Sequence, residues 1–193
     1  MQSNPYHKPS FPLRQKLFRA GWRLVESTVF RVSPSFMFRF RNRLLNAFGA
    51  DVHPLALIYP TVTFWSPSNL TVKAGGCLGH RVQVYNIGRV TIGDGAIVSQ
   101  DATLCAGTHD YTDEAFPLLA RDIEIGDRAW ICAESFVGPG VIVGEGVVAG
   151  ARSVVMRDLP EWMVCAGNPC KPIKKRIMKS VSDSAVDRVP AGV

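Results

Sequence analysis

No stretch of about eighteen residues in this chain is both apolar and uncharged, so no membrane-spanning helix is expected. A secretory leader is not expected either, because Arg14, Lys16, Arg19 and Arg23 interrupt any apolar core near the N-terminus. Histidine is scarce: His7, His53, His80 and His109 are scattered singly, which leaves little for a three-histidine zinc site. The five cysteines, Cys77, Cys105, Cys132, Cys165 and Cys170, are odd in number and lack the paired spacing of a metal site. They fit small buried side chains in a reducing compartment, and no metal is expected. Acidic residues are rare at both ends. Residues 1–50 carry nine basic side chains against Glu26 alone, and residues 171–193 carry six against two.

The middle is the reverse. Residues 51–170 hold thirteen acidic and seven basic residues, so the total of +6 hides an acidic centre with basic ends. A basic nucleic-acid-binding face across the whole chain is excluded by that distribution. With 193 residues and 47% hydrophobic composition, the chain has enough material for one packed domain.

The centre has an internal period. Ile125, Ile131, Val137, Val143, Ala149 and Val155 recur every six residues. Small or β-branched residues follow four places on: Ala129, Ser135, Val141, Val147 and Ser153. The same period runs through Ile92, Val98 and Leu104, through Val72, Leu78 and Val84, and through Val52, Ile58 and Phe64. Two eight-residue steps, Phe64 to Val72 and Val84 to Ile92, read as corner insertions. A helix would repeat its apolar residues every three or four places, and an isolated strand every two. A period of six fits a short strand plus a turn. Three such units close a triangular coil, and stacked coils share one core. Glycines after the first position, such as Gly126 and Gly144, are expected to supply positive φ at the turns. Positions five places on point outward, where chemistry leaves the core undisturbed.

His109 falls at such an outward position, five after Leu104, and the repeat lapses directly after it. An excursion loop over 110–122 is therefore expected, with histidine at its edge. Histidine serves as a general base near neutral pH, and loops on rigid scaffolds often carry function. Trp130, five after Ile125, is outward by the same count, and an exposed tryptophan asks for a partner. Ahead of the coils, 15–30 reads as a helix with Leu17, Phe18, Gly21, Leu24 and Val25 on one face. A second, over 36–48, groups Met37, Phe40, Leu44 and Phe48. This basic segment could cap the open coil or rest on an anionic membrane surface. Three parts result: 1–50 helical, 51–160 coiled, and 161–193 a cofactor-end segment with a short helix, in which Lys174, Lys175 and Arg176 form a solvated face. Residues 179–193 lack periodicity and are expected to fray.

The runs Ile92-Gly93-Asp94-Gly95-Ala96-Ile97 and Val143-Gly144-Glu145-Gly146-Val147-Val148 resemble the hexapeptide repeats of left-handed parallel β-helix acyltransferases. Tyr85-Asn86-Ile87-Gly88 and Gly107-Thr108-His109-Asp110-Tyr111-Thr112-Asp113 resemble the colanic-acid-type sugar O-acetyltransferases. The resemblance implies a mainly β fold of left-handed hand, acetyl-CoA as co-substrate, a saccharide acceptor, a homotrimer with sites between subunits, and a cytoplasmic enzyme of exopolysaccharide or lipid-linked oligosaccharide assembly. It implies that His109 is the base and that Asn86, Tyr85, Asp110 and Tyr111 meet the acceptor. Asn86 could instead buttress the site, or satisfy a turn, and Asp110 could bond the histidine or merely start the loop. Asp113, Glu114 and Phe116 are weaker acceptor contacts. The closing runs 150–160 and 166–173 imply coenzyme A contacts at Trp130, Ala133, Ala151, Arg157 and Lys171. Cys132 replaces a family glycine and is not expected to be a nucleophile. Three other readings stand beside this one: an N-acetyltransferase of the same fold, a non-catalytic β-helix, and a γ-class carbonic anhydrase. The scarcity of histidine argues against the last.

Overall fold

The computed structural model describes residues 11–178; the expectation for 179–193 lies outside them. Among the described residues, nineteen short strands account for most of the regular structure. The first coil is β1 (Asp51–Val52), β2 (Leu57–Ile58) and β3 (Thr63–Phe64). The second is β4 (Leu70–Val72), β5 (Cys77–Leu78) and β6 (Gln83–Tyr85), and the third β7 (Val90–Ile92), β8 (Ile97–Val98) and β9 (Thr103–Cys105). A β-hairpin, β10 (Gly107–His109) and β11 (Leu118–Ala120), then interrupts the path. The fourth coil is β12 (Ile123–Ile125), β13 (Trp130–Ile131) and β14 (Phe136–Val137). The fifth is β15 (Ile142–Val143), β16 (Val148–Ala149) and β17 (Val154–Val155). A bridge from Leu159 to Val143 and the strand β18 (Met163–Ala166) begin a sixth.

Each coil contributes one strand to each of three parallel faces: β1-β4-β7-β12-β15, β2-β5-β8-β13-β16-β18, and β3-β6-β9-β14-β17. Every residue of the six-residue series is buried, from Val52 and Ile58 to Ala149 and Val155. Their partners Ala129, Ser135, Val141, Val147 and Ser153 are buried with them. The glycines directly after the first position, such as Gly126 and Gly144, work differently from expectation. Gly126 has ordinary φ, but a Cβ there would lie 2.7 Å from the Glu145 amide of the next coil. Close coil stacking excludes the side chain. The left-handed corners lie three places after the first position, where Gly75, Gly95, Gly140 and Gly146 do supply positive φ, and Arg81, Asp101, Arg128, Glu134 and Arg152 adopt it at others.

α1 (Leu13–Val25), a π-helical turn over Glu26–Phe30, and α2 (Phe38–Ala47) close the open end of the first coil. Trp22 sits among Phe30, Phe48 and Phe64, with ring centroids 5.2–6.2 Å apart. The expected helix faces require correction. In α1 the inward residues are Phe18, Trp22 and Val25, while Leu17 and Leu24 are exposed. In α2 the buried residues are Arg41, Asn42 and Leu45, and Phe40 is exposed. The reason lies in the coil end, where no preceding coil satisfies the backbone. Arg41 Nε donates to the Ile58 carbonyl at 2.6 Å, and its remaining nitrogens donate to Ser33 Oγ and the carbonyls of Pro34 and Ser35. Asn42 donates to the carbonyls of His53 and Ala56, and Asn46 both donates to and accepts from Val52.

The C-terminal helix is also corrected. β19 (Lys171–Lys175) pairs antiparallel with β18, so Lys174 and Lys175 stand on an exposed strand. The β18–β19 pair forms the outer end of the second face, where extended backbone continues the ladder.

Candidate active site

The chain leaves the coil after Ala106, which is buried, three residues earlier than the repeat suggests. Gly107, Thr108 and His109 pair with Ala120, Leu119 and Leu118. His109 therefore rides on a hairpin strand rather than on a coil corner. The hairpin grows from the edge between β9 and β12. Its base rests on Tyr85, whose Cε1 lies 2.9 Å from where a Cβ of residue 107 would be.

His109 is exposed, and its Nδ1 lies 2.6 Å from the carbonyl oxygen of Phe116. A carbonyl only accepts, so Nδ1 carries the proton. The neutral ring then has a bare Nε2, the form a general base requires. Phe116 adopts φ of 44°, a left-handed conformation unfavourable for an aromatic residue. Its carbonyl is the orienting group that sequence reasoning missed, since no residue pattern announces a backbone acceptor.

Asp110 does not touch the histidine. Its carboxylate accepts from the Thr112 hydroxyl and amide, at 2.6 and 3.0 Å, which hold it below the usual carboxylate range. It shapes the loop. Tyr111 is 84% exposed on the same loop. Asn86 as an acceptor contact is corrected. The residue is completely buried, and its Oδ1 accepts from the amides of Trp65 and Ser66 while Nδ2 donates to the Ser66 carbonyl. It satisfies the eight-residue corner and supports the strand carrying Tyr85. Tyr85 is partly exposed and packs edge-on against Trp65, centroids 5.0 Å apart.

Trp130 stands outward on β13, 43% exposed, and its Nε1 donates to Ser99 Oγ at 2.9 Å. In register beside it lie Ile97 and Val148, forming an apolar outer strip. Ala133 and Ala151 occupy successive levels of the following corner, linked by the Arg152 amide donating to the Ala133 carbonyl. Lys171 is exposed and pairs with Ala166 at the end of that face. Arg157, exposed between β17 and Leu159, is on a different edge, the one from which the hairpin grows two coils earlier. Trp130, Ala133, Ala151 and Lys171 thus share one side of the prism, and His109 and Arg157 another. Cys132 is half-buried and its thiol is pushed up by burial; burial also pushes Cys165 up to about 11. Neither has the depressed thiol of a nucleophile. Among the described residues no group of three His, Cys, Asp or Glu could hold a metal, and no helix is long and apolar enough to cross a membrane.

No protein-family profile matches the chain. It is 39% identical over 169 residues to the colanic acid biosynthesis acetyltransferase WcaF of Escherichia coli, covering 84% of this chain and 93% of that one. The fold superposes on galactoside acetyltransferase in complex with coenzyme A with a TM-score of 0.72, at 26% identity, over 86% of this chain and 84% of that one. The hexapeptide-repeat acetyltransferase VCA0836 of Vibrio cholerae shares the fold, with a TM-score of 0.76 at 20% identity over 85% and 93% of the two chains. With a six-residue repeat, a parallel β-helix and a relative matched over nearly its whole length, the chain belongs to the hexapeptide-repeat acetyltransferases.

Proposed function

We propose that this protein transfers an acetyl group from acetyl-CoA to a sugar hydroxyl, in the assembly of an exopolysaccharide or a lipid-linked oligosaccharide. The observation that carries the reading is the His109 ring, exposed on a hairpin with Nδ1 donating to the Phe116 carbonyl. Nε2 takes the proton from the attacking hydroxyl. The sugar oxygen bonds to the thioester carbonyl carbon, the carbon–sulfur bond breaks, and the imidazolium returns its proton to the departing thiolate. Tyr85 and Tyr111 are the acceptor contacts, since both present ring surface near the hairpin.

The fixed indole of Trp130, its apolar neighbours and the small corner residues Ala133 and Ala151 fit the pantetheine arm of coenzyme A. Lys171 supplies a cation for its phosphates. The bound galactoside acetyltransferase and the name of the Escherichia coli relative support the donor and the acceptor class. Base and cofactor wall stand on different sides of one prism, so a working site takes His109 from one subunit and the Trp130 side from another, as in a homotrimer. An acceptor screen with acetyl-CoA and a free-thiol readout tests the reading. Turnover with a hydroxyl sugar supports it, and turnover confined to amino acceptors refutes O-transfer.

A further inference from the structure

We propose that the outer face of α1 docks the protein on an anionic phospholipid surface. The helix is apolar on two opposite sides. At 3.6 residues per turn, Phe18, Trp22 and Val25 fall within about 60° and face the coil. Leu13, Leu17, Ala20 and Leu24 fall within about 60° on the far side. Leu13, Leu17 and Leu24 are 70, 64 and 67% exposed. Among the described residues nothing covers this second leucine stripe, and a helix that packs on one side has no use for it there.

Cations border the stripe. Arg14 lies on one flank, Lys16 and Arg23 on the other, all exposed, and α1 contains no acidic residue. The neighbouring Glu26 is turned to the coil, where its carboxylate accepts from the Phe64 amide at 2.9 Å. The chain after α1 adds Val32 and Phe36, 76 and 80% exposed, with Arg31 and Arg39 near them in sequence. Two other basic residues of the segment are committed elsewhere. Arg41 is buried, and Arg19 lies over the Trp65 ring at 3.1 Å.

Leucines flanked by cations match the boundary between acyl chains and negative headgroups. Symmetric pairing with the same helix of a second copy would instead bring like charges together. The stripe is separate from the hairpin and the Trp130 side, so docking and acetyl transfer are independently measurable.

The test is flotation of the full chain with phosphatidylcholine vesicles, with and without about 30 mol % phosphatidylglycerol. Binding only to the anionic vesicles, falling as salt rises, is expected. The variant Leu13→Gln/Leu17→Gln/Leu24→Gln should bind about tenfold more weakly or worse. Each of Arg14→Gln and Lys16→Gln should cost up to about fivefold. Thiol release from acetyl-CoA and the melting temperature should hold in all of them, because the altered side chains face solvent. Absence of binding by the intact chain, or equal binding by the triple variant, overturns the proposal. So does a change of oligomeric state in the triple variant without vesicle binding by the parent, which would give the stripe to a second copy. Loss of acetyl transfer in the intact chain would strike the enzymatic reading and leave this one standing.

Discussion

Gly107→Ala tests whether the hairpin base sets the position of the histidine. The added methyl would stand 2.9 Å from Tyr85 Cε1 and 3.1 Å from Ile87 Cδ1. Ordinary carbon contacts are about 3.5–4.0 Å, so something must give by roughly 0.5–1 Å. Tyr85 has little room on its other side, where Trp65 lies at 5.0 Å between ring centroids, itself covered by the Arg19 guanidinium. The hairpin strand should therefore lift, carrying His109 two residues along. Overpacking of this kind costs about 1–3 kcal/mol of stability, and a misplacement near 1 Å costs about a hundredfold in rate. Steady-state thiol release should show kcat lowered by one to two orders of magnitude, with the KM for acetyl-CoA nearly unchanged. Ile87→Val, which removes Cδ1, should recover part of the loss in the double variant. A Gly107→Ala enzyme with parental kcat would refute the reasoning, and so would a loss that appears only in KM for acetyl-CoA.

Arg41→Met should lower stability by about 3 kcal/mol or more, because it strips the donors from the buried Ile58 carbonyl and Ser33 Oγ and from the partly buried carbonyls of Pro34 and Ser35. Calorimetry should read a drop of about 6 °C or more. Glu26 is raised above its usual value, by burial first, with the Phe64 amide opposing. The folded state therefore holds its proton to higher pH than the unfolded one, and stability falls as pH rises between the two values. Glu26→Gln should remove that fall and leave the protein at least as stable at neutral pH, as denaturant titrations at acid and neutral pH would show. Trp130→Ala should raise the KM for acetyl-CoA about tenfold or more through lost apolar contact, and Trp130→Phe should fall between.

The core was readable because a β-helix repeats one simple demand. Each six-residue position meets the same buried environment, so the period survives at residues as different as Phe64 and Ala149. The two capping helices were readable but their inward faces were not, since these helices answer the unpaired carbonyls of the coil end rather than apolar surface alone. That demand places Arg41 and Asn42 inward where a hydrophobicity pattern puts Phe40. In the candidate site, Trp130 stood out because the repeat makes its position outward, and His109 because the repeat lapses beside it, although the histidine rides on the hairpin and not on a coil corner. Asn86 misled because burial depends on the corner formed with Trp65 and Ser66, twenty residues away in sequence. The Phe116 carbonyl left no side-chain trace.

The central claim is that His109 is the base. Acetyl transfer and coenzyme A binding measured side by side for His109→Ala test it most directly. The account predicts turnover reduced by about a hundredfold to ten-thousandfold, with calorimetric affinity for coenzyme A and the melting temperature unchanged. Undiminished turnover in the variant would contradict it.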